Sequence, residues 1–327
     1  MTIKKESDDR SALTSHEAAA AVMDLGTNTF HLLIADGTPQ NFAKIAHQEI
    51  AVKLGEGGIS KGYINEAAFE RGLKAMDRFR ELIAENHITQ VKAVATSALR
   101  NASNGREFID CVRANTGINI ELISGDEEAA YIYNGVKASG CLGEHNNLIM
   151  DIGGGSIEFI LGTHENIIWK QSFEIGAQRM MDRFHHTDPI PAASVEALNV
   201  YLDEVLPNLL NAVKDHPVEH LIGSSGAFET FAELIERQKD NSFDLQSIKC
   251  YGFDLEDLLG ITDKLIESSH HERLGTPGII PVRIDMIVVA SIITRYIVQK
   301  LGIKEVSMST YSLKEGLLAE MLDPSKA

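Results

Sequence analysis

Apolar positions recur along this chain in two rhythms, and together they divide it into strands and helices. Short apolar runs mark buried strands: Val22 to Ile34 around a polar turn, Val91 to Thr96, Ile118 to Ile123, Leu148 to Ile152, His220 to Gly223 and Glu305 to Met308. Three- and four-residue spacing marks helices instead. Between Glu66 and Glu85, residues Phe69, Leu73, Met76, Phe79 and Ile83 form one stripe with charges between them, which predicts a helix covering a sheet face. Further helices are predicted near Arg106 to Arg113, after Ser124, over Ser194 to Lys214, Ala227 to Arg237 and Asp285 to Lys300, and from Ser312 to Met321. Such alternation predicts an α/β chain with helices packed on sheets. No low-complexity linker separates the halves, so the boundary is expected around the helix after Ser124.

Each half opens with the same design. Val22-Met23-Asp24-Leu25-Gly26-Thr27-Asn28-Thr29-Phe30 and Ile149-Met150-Asp151-Ile152-Gly153-Gly154-Gly155-Ser156-Ile157-Glu158 both read as strand, aspartate, tight polar turn and second strand. An aspartate held rigidly beside free backbone N–H groups can serve an anion and its metal together, and two such loops facing each other would clamp a phosphate chain. Gly153, Gly154 and Gly155 permit positive φ and admit a ligand close to the backbone. By the two-residue strand period Ser156 and Glu158 share one face. A carboxylate beside a phosphate cradle calls for a divalent cation or a proton transfer, so Asp151 and Glu158 read as metal or water ligands. In the first loop Gly26 makes the turn, while Thr27, Asn28 and Thr29 offer hydroxyl and amide groups. Either loop alone also fits a plain hairpin turn. Their repetition argues for more than turn chemistry.

Ser124-Gly125-Asp126-Glu127 has the spacing of a helix capping box. Glu128 follows in the first helical turn, where it fits either a general base for water or a partner of the helix dipole. Arg100, Arg179 and Arg283 sit beside strand ends or helix starts and can fork to phosphate oxygens, although each also fits an ordinary surface arginine. The adjacent pairs His185-His186 and His270-His271 would diverge on a helix, so they read as solvent-facing residues rather than metal ligands.

Composition narrows the class. A chain of 327 residues favours two domains, and its net charge of 30 − 47 = −17 repels nucleic acid and anionic membranes. A phosphate-rich ligand must therefore find a local, metal-assisted site. Cys111, Cys141 and Cys250 are odd in number and lack C-x-x-C spacing, which points to a reducing compartment without disulfides. The Ala18 to Val22 run is too short for a signal peptide, and the apolar run from Met286 to Ile293 meets Arg295 before it could span a bilayer. A cytoplasmic location is expected.

Taken in series, the two loops, Ala95-Thr96-Ser97-Ala98-Leu99-Arg100-Asn101-Ala102, Ile123-Ser124-Gly125-Asp126-Glu127-Glu128-Ala129, Ile175-Gly176-Ala177-Gln178-Arg179, Gly223-Ser224-Ser225-Gly226 and Ser312-Leu313-Lys314-Glu315-Gly316-Leu317-Leu318 resemble the exopolyphosphatase/guanosine pentaphosphate phosphohydrolase (Ppx/GppA) family. The resemblance covers nearly everything after Ala20. It implies two ribonuclease-H-like domains of the actin-like ATPase superfamily with an interdomain cleft. The expected division is 1–132, with a C-terminal helix 312–327 packing back on it, and 133–311. It further implies Mg²⁺ or Mn²⁺, a homodimer, and removal of the terminal phosphoryl group from polyphosphate or guanosine pentaphosphate. Glu128 matches the family's proposed base, Asp151 and Glu158 its metal- and water-handling carboxylates, and Arg100 its phosphate-binding arginine. Asp24 joins the expected metal set, and Gly26 to Thr29 with Gly153 to Ser156 form the cradles. The chain ends soon after the second domain, without the helical domains of longer members, so short-chain polyphosphate is the expected substrate, with guanosine pentaphosphate as the alternative. A non-catalytic sensor of guanosine tetra- or pentaphosphate and an ATP-dependent small-molecule kinase remain as other classes.

Overall fold

A computed structural model describes residues 19–239 and 241–323. Two units follow one plan in sequence. The first runs β1 (Ala20–Leu25), β2 (Phe30–Thr38), β3 (Asn41–Ile50), α1 (Glu66–Glu85), β4 (Gln90–Ala95), α2 (Ser97–Asn101), α3 (Gly105–Thr116), β5 (Ile120–Leu122) and α4 (Gly125–Ser139). The second runs β6 (Asn147–Ile152), β7 (Ile157–Gly162), β8 (Ile167–Phe173), α5 (Ala177–Phe184), α6 (Ala192–Val205), α7 (Pro207–Asp215), β9 (His220–Ser224), α8 (Gly226–Gln238), β10 (Cys250–Phe253), α9 (Leu255–Glu267), α10 (His270–Leu274), α11 (Met286–Leu301), β11 (Glu305–Ser309) and α12 (Leu313–Met321).

The first sheet has the order β3-β2-β1-β4-β5 and the second β10-β11-β9-β6-β7-β8. Each contains an antiparallel three-strand meander, β1-β2-β3 or β6-β7-β8, whose first strand pairs in parallel with a later one, β4 or β9. Read from β8, the second sheet repeats the first and adds β10 at its far edge. This is the doubled ribonuclease-H-like strand arrangement that the sequence led one to expect.

Local chemistry explains most boundaries. The Asn65 side chain accepts the Ala68 N–H to start α1, whose buried face carries Met76, Phe79 and Ile83. The helix expected over Ser194 to Lys214 is two helices, α6 and α7, because Pro207 has no N–H to continue the ladder and instead starts the second. Sequence periodicity leaves β3, β8 and β10 undetected. Their residues are mostly half-buried or exposed, so no clean apolar alternation marks them.

Three apolar clusters hold the molecule together. One packs the second sheet against α8, α9 and α11, and another packs the first sheet against α1 and α3. The third joins the two sheets: Val22 and Leu33 from the first, Ile149 and Ile160 from the second, with Ile132 and Val136 of α4 and Leu317 and Leu318 of α12 between them. The helix α12 packs on α4, β1 and β2; residues 324–327 of the expected terminal helix lie outside the described residues. Because this shared core replaces a tether, the ends of both hairpins are held against one cleft.

Two expectations are corrected. Cys141 and Cys250 form a disulfide with Cα atoms 5.7 Å apart, closing a separation of 109 residues that no spacing rule detects. His185 is not a solvent-facing residue: its side chain is 4% exposed and its Nε2 lies 3.2 Å from Asp188. Among the described residues, no helix is long and apolar enough to cross a membrane.

Candidate active site

The two hairpin turns are built alike. Gly26 N–H donates to the Thr29 carbonyl at 3.2 Å, and Gly153 N–H donates to the Ser156 carbonyl at 3.1 Å. Strand register then puts Asp24 opposite His31 and Asp151 opposite Glu158. The turns meet across the cleft. A Cβ on Gly154 would lie 2.3 Å from Asn28 Nδ2, and one on Gly155 would lie 2.5 Å from Ser97 Oγ and 2.7 Å from Thr27 Oγ1. Close approach, not backbone handedness, is what requires glycine there, since none of Gly153, Gly154 or Gly155 adopts positive φ.

Around these turns lies a cavity of about 230 Å³. It brings together Asp24, Gly26, Thr27, Asn28 and Thr29 from the first unit, Glu128 from α4, and Asp151, Gly153, Gly154, Gly155 and Ser156 from the second. Glu158 and Arg100 do not line it and stand behind the lining residues. Glu158 is 1% exposed and accepts the Ser172 hydroxyl at 2.6 Å. Arg100 Nη1 donates to Glu128 Oε2 at 2.9 Å and to the Ile123 carbonyl at 3.2 Å, while its Nη2 reaches Glu174 at 3.3 Å. As folded here, Arg100 orients Glu128 rather than presenting a free fork. The capping box expected at Ser124 and Glu127 forms, which turns Glu127 outward and leaves Glu128 buried at 7% exposure.

The four acids sit in different environments. Asp151, 5% exposed, accepts hydroxyl hydrogen bonds from Ser224 at 2.5 Å, Ser225 at 2.7 Å and Ser312 at 2.6 Å. Asp24 has no such donors among the described residues. Burial pushes its carboxyl up to about 7 against the pull of Lys314, with Asp151 and Glu315 adding to the rise. Burial also pushes Glu158 up to about 8, helped by Asp151 and opposed by the hydroxyls of Ser172 and Ser156. Glu128 rises well above the usual carboxylate range for the same first reason, with Glu158 adding and Arg100 opposing. Crowded, desolvated carboxylates of this kind have uncompensated charge that a cation would offset.

Oxygen donors suit Mg²⁺, which keeps several waters and takes one or two carboxylates together with substrate phosphates. The expected three-acid set is not a preformed cage. Among the described residues, the one group of three whose ligand atoms all lie within 4.8 Å of one another is His31, His47 and Glu49. Asp24 and Asp151, which line the cavity, therefore fit a hydrated ion held from one or two sides, whereas Glu158, buried behind them, is not placed as the expected third ligand.

Two arginines have other tasks. Arg179 donates to the Gly155 carbonyl at 2.9 Å and to the Ile59 carbonyl at 3.1 Å, so it fastens the second turn to the first unit. Arg283 lines the cavity while pairing with Glu229 at 2.9 Å. Sequence reasoning missed Lys314, a half-buried lysine in the cavity wall. Burial works against its charge, yet Glu315, Glu229 and Asp24 together raise its pKa. Its signal was present in the Ser312 to Leu318 motif, where no role was assigned to it. The serines that hold Asp151 were missed for want of any local pattern linking them to it.

A model of the Ppx/GppA phosphatase family matches residues 33–325. The crystal structure of an exopolyphosphatase from Cytophaga hutchinsonii is 40% identical, covers 93% of this chain and 98% of its own, and superposes with a TM-score of 0.90. The PPX-GPPA enzyme of Aquifex aeolicus is 25% identical with a TM-score of 0.77, over 92% of this chain and 99% of that one. Exopolyphosphatase 2 of Mycobacterium tuberculosis is 30% identical over 312 residues, covering 91% of this chain and 96% of the relative. With paired aspartate turns closing on one cleft and a family match along nearly the whole described chain, this protein belongs to the Ppx/GppA phosphatase family.

Proposed function

We propose that the protein is an exopolyphosphatase that releases orthophosphate from the end of inorganic polyphosphate, with Mg²⁺ as its cofactor. The observation that carries this reading is the meeting of the two turns beside a buried acid, Glu128, in a single cavity. The names of the relatives from Cytophaga hutchinsonii and Mycobacterium tuberculosis favour polyphosphate over guanosine pentaphosphate.

In this reading the N–H groups of both turns and the hydroxyls of Thr27, Thr29 and Ser156 hold the terminal phosphoryl oxygens. Asp24 and Asp151 would hold Mg²⁺, which neutralises charge on the phosphoryl group and the leaving chain when bound. Glu158, behind them and held by the Ser172 hydroxyl, keeps a second carboxylate beside Asp151. Arg100 fixes the Glu128 carboxylate, which aligns a water and takes its proton as the water oxygen attacks phosphorus. The bridging P–O bond breaks, and the shortened chain leaves with its negative charge. A carboxylate held above its usual range is a better proton acceptor near neutral pH than an exposed one.

Phosphate release from polyphosphate, guanosine pentaphosphate and ATP, measured side by side with Mg²⁺, tests the assignment. Polyphosphate should turn over fastest, and Glu128→Gln should lower kcat by about 10³-fold while the melting temperature holds. Faster turnover of guanosine pentaphosphate would replace the substrate. Undiminished turnover in the variant would remove Glu128 from the role of base.

A further inference from the structure

We infer that His31, His47 and Glu49 form a second cation site, one that takes a transition-metal dication such as Zn²⁺ at the exposed side of the cleft. The site follows from strand register. His31 on β2 lies opposite Glu49 on β3, and His47 lies opposite Leu33, two residues along. Alternate residues share a sheet face, so all three side chains leave the sheet on the same side. One donor atom from each lies within 4.8 Å of the others, and all three residues line the cavity.

A separate observation points to a ligand. His31 Nδ1 is buried with no hydrogen-bond partner, so the ring has a nitrogen that the protein does not satisfy. Two imidazoles and one carboxylate select Zn²⁺, Co²⁺ or Ni²⁺ over Mg²⁺, which prefers an all-oxygen shell. Around zinc, donors at about 2.1 Å stand roughly 3.4 Å apart, so the group must close by no more than about 1.4 Å. His47 and Glu49 are exposed and can make that movement. Burial, then Lys314 and the neighbouring His47, lowers the pKa of the His31 imidazole, with Arg283 adding.

Three protein donors leave a coordination position open. His31 is the cross-strand partner of Asp24, so an ion here stands one strand away from the carboxylate at the phosphoryl site. Given the proposed hydrolase reading, the open position would accept an oxygen of a phosphate further along the chain than the one released.

Equilibrium dialysis of the full chain with Zn²⁺ against millimolar Mg²⁺, without substrate, tests the site, with Co²⁺ absorption reporting the ligand field. One equivalent of Zn²⁺ should be retained, and His47→Ala and Glu49→Ala should each weaken it by at least about tenfold without lowering the melting temperature. Equal Zn²⁺ retention in a variant with both substitutions, or full displacement by Mg²⁺, would overturn the inference. Because no substrate is present, that failure would leave the hydrolase reading standing.

Discussion

The hairpins that open the two units share a turn, a register and an aspartate, yet they treat that aspartate in opposite ways. Asp151 is fastened by three serine hydroxyls drawn from β9, the residue that follows it and the segment before α12. Asp24 is held by its strand alone and sits near Lys314 with its proton affinity raised. Their cross-strand partners differ too, Glu158 in one case and His31 in the other. The helices that close the units repeat the lesson. In α4 a serine and a glutamate three residues later flank the first turn, and Glu128 comes next; in α12 Ser312 and Glu315 stand likewise, and Gly316 comes next. One plan is repeated, and its two copies differ in chemistry: the second hairpin is braced by serines, and the first holds an aspartate without such donors among the described residues.

The sharpest way to break this contrast is to neutralise each aspartate without changing its size. Asp151→Asn replaces an acceptor of three hydroxyl hydrogen bonds with a side chain that can accept at only one atom, inside a buried site. A loss of about 3 kcal/mol in stability is expected. Asp24→Asn removes a carboxylate with no hydrogen-bond donor among the described residues, whose folded pKa lies above its unfolded one. The sign follows: ionising Asp24 opposes folding as pH rises from about 4 to about 7, so the amide should melt no lower than the parent at pH 8. Both variants should lose phosphate release. Paired thermal melts and Mg²⁺-dependent turnover decide, and a larger melting loss for Asp24→Asn would refute the division.

A second test concerns the position where one helix carries an acid and the other does not. A Cβ at Gly316 would lie 1.9 Å from the Tyr131 carbonyl on α4, so that approach is backbone against backbone. Gly316→Ala should therefore push α12 off α4 and destabilise the fold by about 2 kcal/mol. The glycine is what lets the counterpart helix seat the one that carries Glu128. Chemical denaturation checks the magnitude, and a neutral result would mean that the two helices can separate at no cost.

Legibility in the sequence tracks the range of the interaction. Both hairpins, α1 and the Ser124–Glu127 capping box were readable because their signals lie within a few residues. Turn spacing marked Asp24 and cap spacing placed Glu128 beside the box, but the role expected of Glu128 as base came only with the family resemblance. The edge strands β3 and β8 were not readable, since half-burial dilutes their alternation. That omission hid His47 and Glu49, which acquire meaning only when β3 pairs with β2. Arg179, open in the sequence between a phosphate fork and a surface arginine, bonds the Gly155 and Ile59 carbonyls, the second from 120 residues away. The serine brace on Asp151 and the Cys141–Cys250 pair failed to show for the same reason: closure over 73 to 161 residues leaves no local trace.

The smallest expected effect sharpens the same contrast at the caps. The Ser124 hydroxyl accepts the Glu127 N–H at 3.2 Å, and its backbone N–H donates to Glu127 Oε2 at 2.8 Å. Glu315 returns the equivalent bond to the Ser312 N–H at 2.9 Å, and the Ser312 hydroxyl, part of that capping box, also donates to Asp151. Ser124→Ala removes one cap and should lower stability by about 1 kcal/mol, leaving phosphate release near the parental rate because Glu127 faces away from the cavity. Ser312→Ala should cost a similar amount in stability and also lower turnover, since it deletes one of the three donors that fix Asp151. Equal turnover in the two alanine variants would mean that the brace on the second aspartate contributes to folding alone, and that the unequal treatment of the two hairpins has no bearing on the reaction.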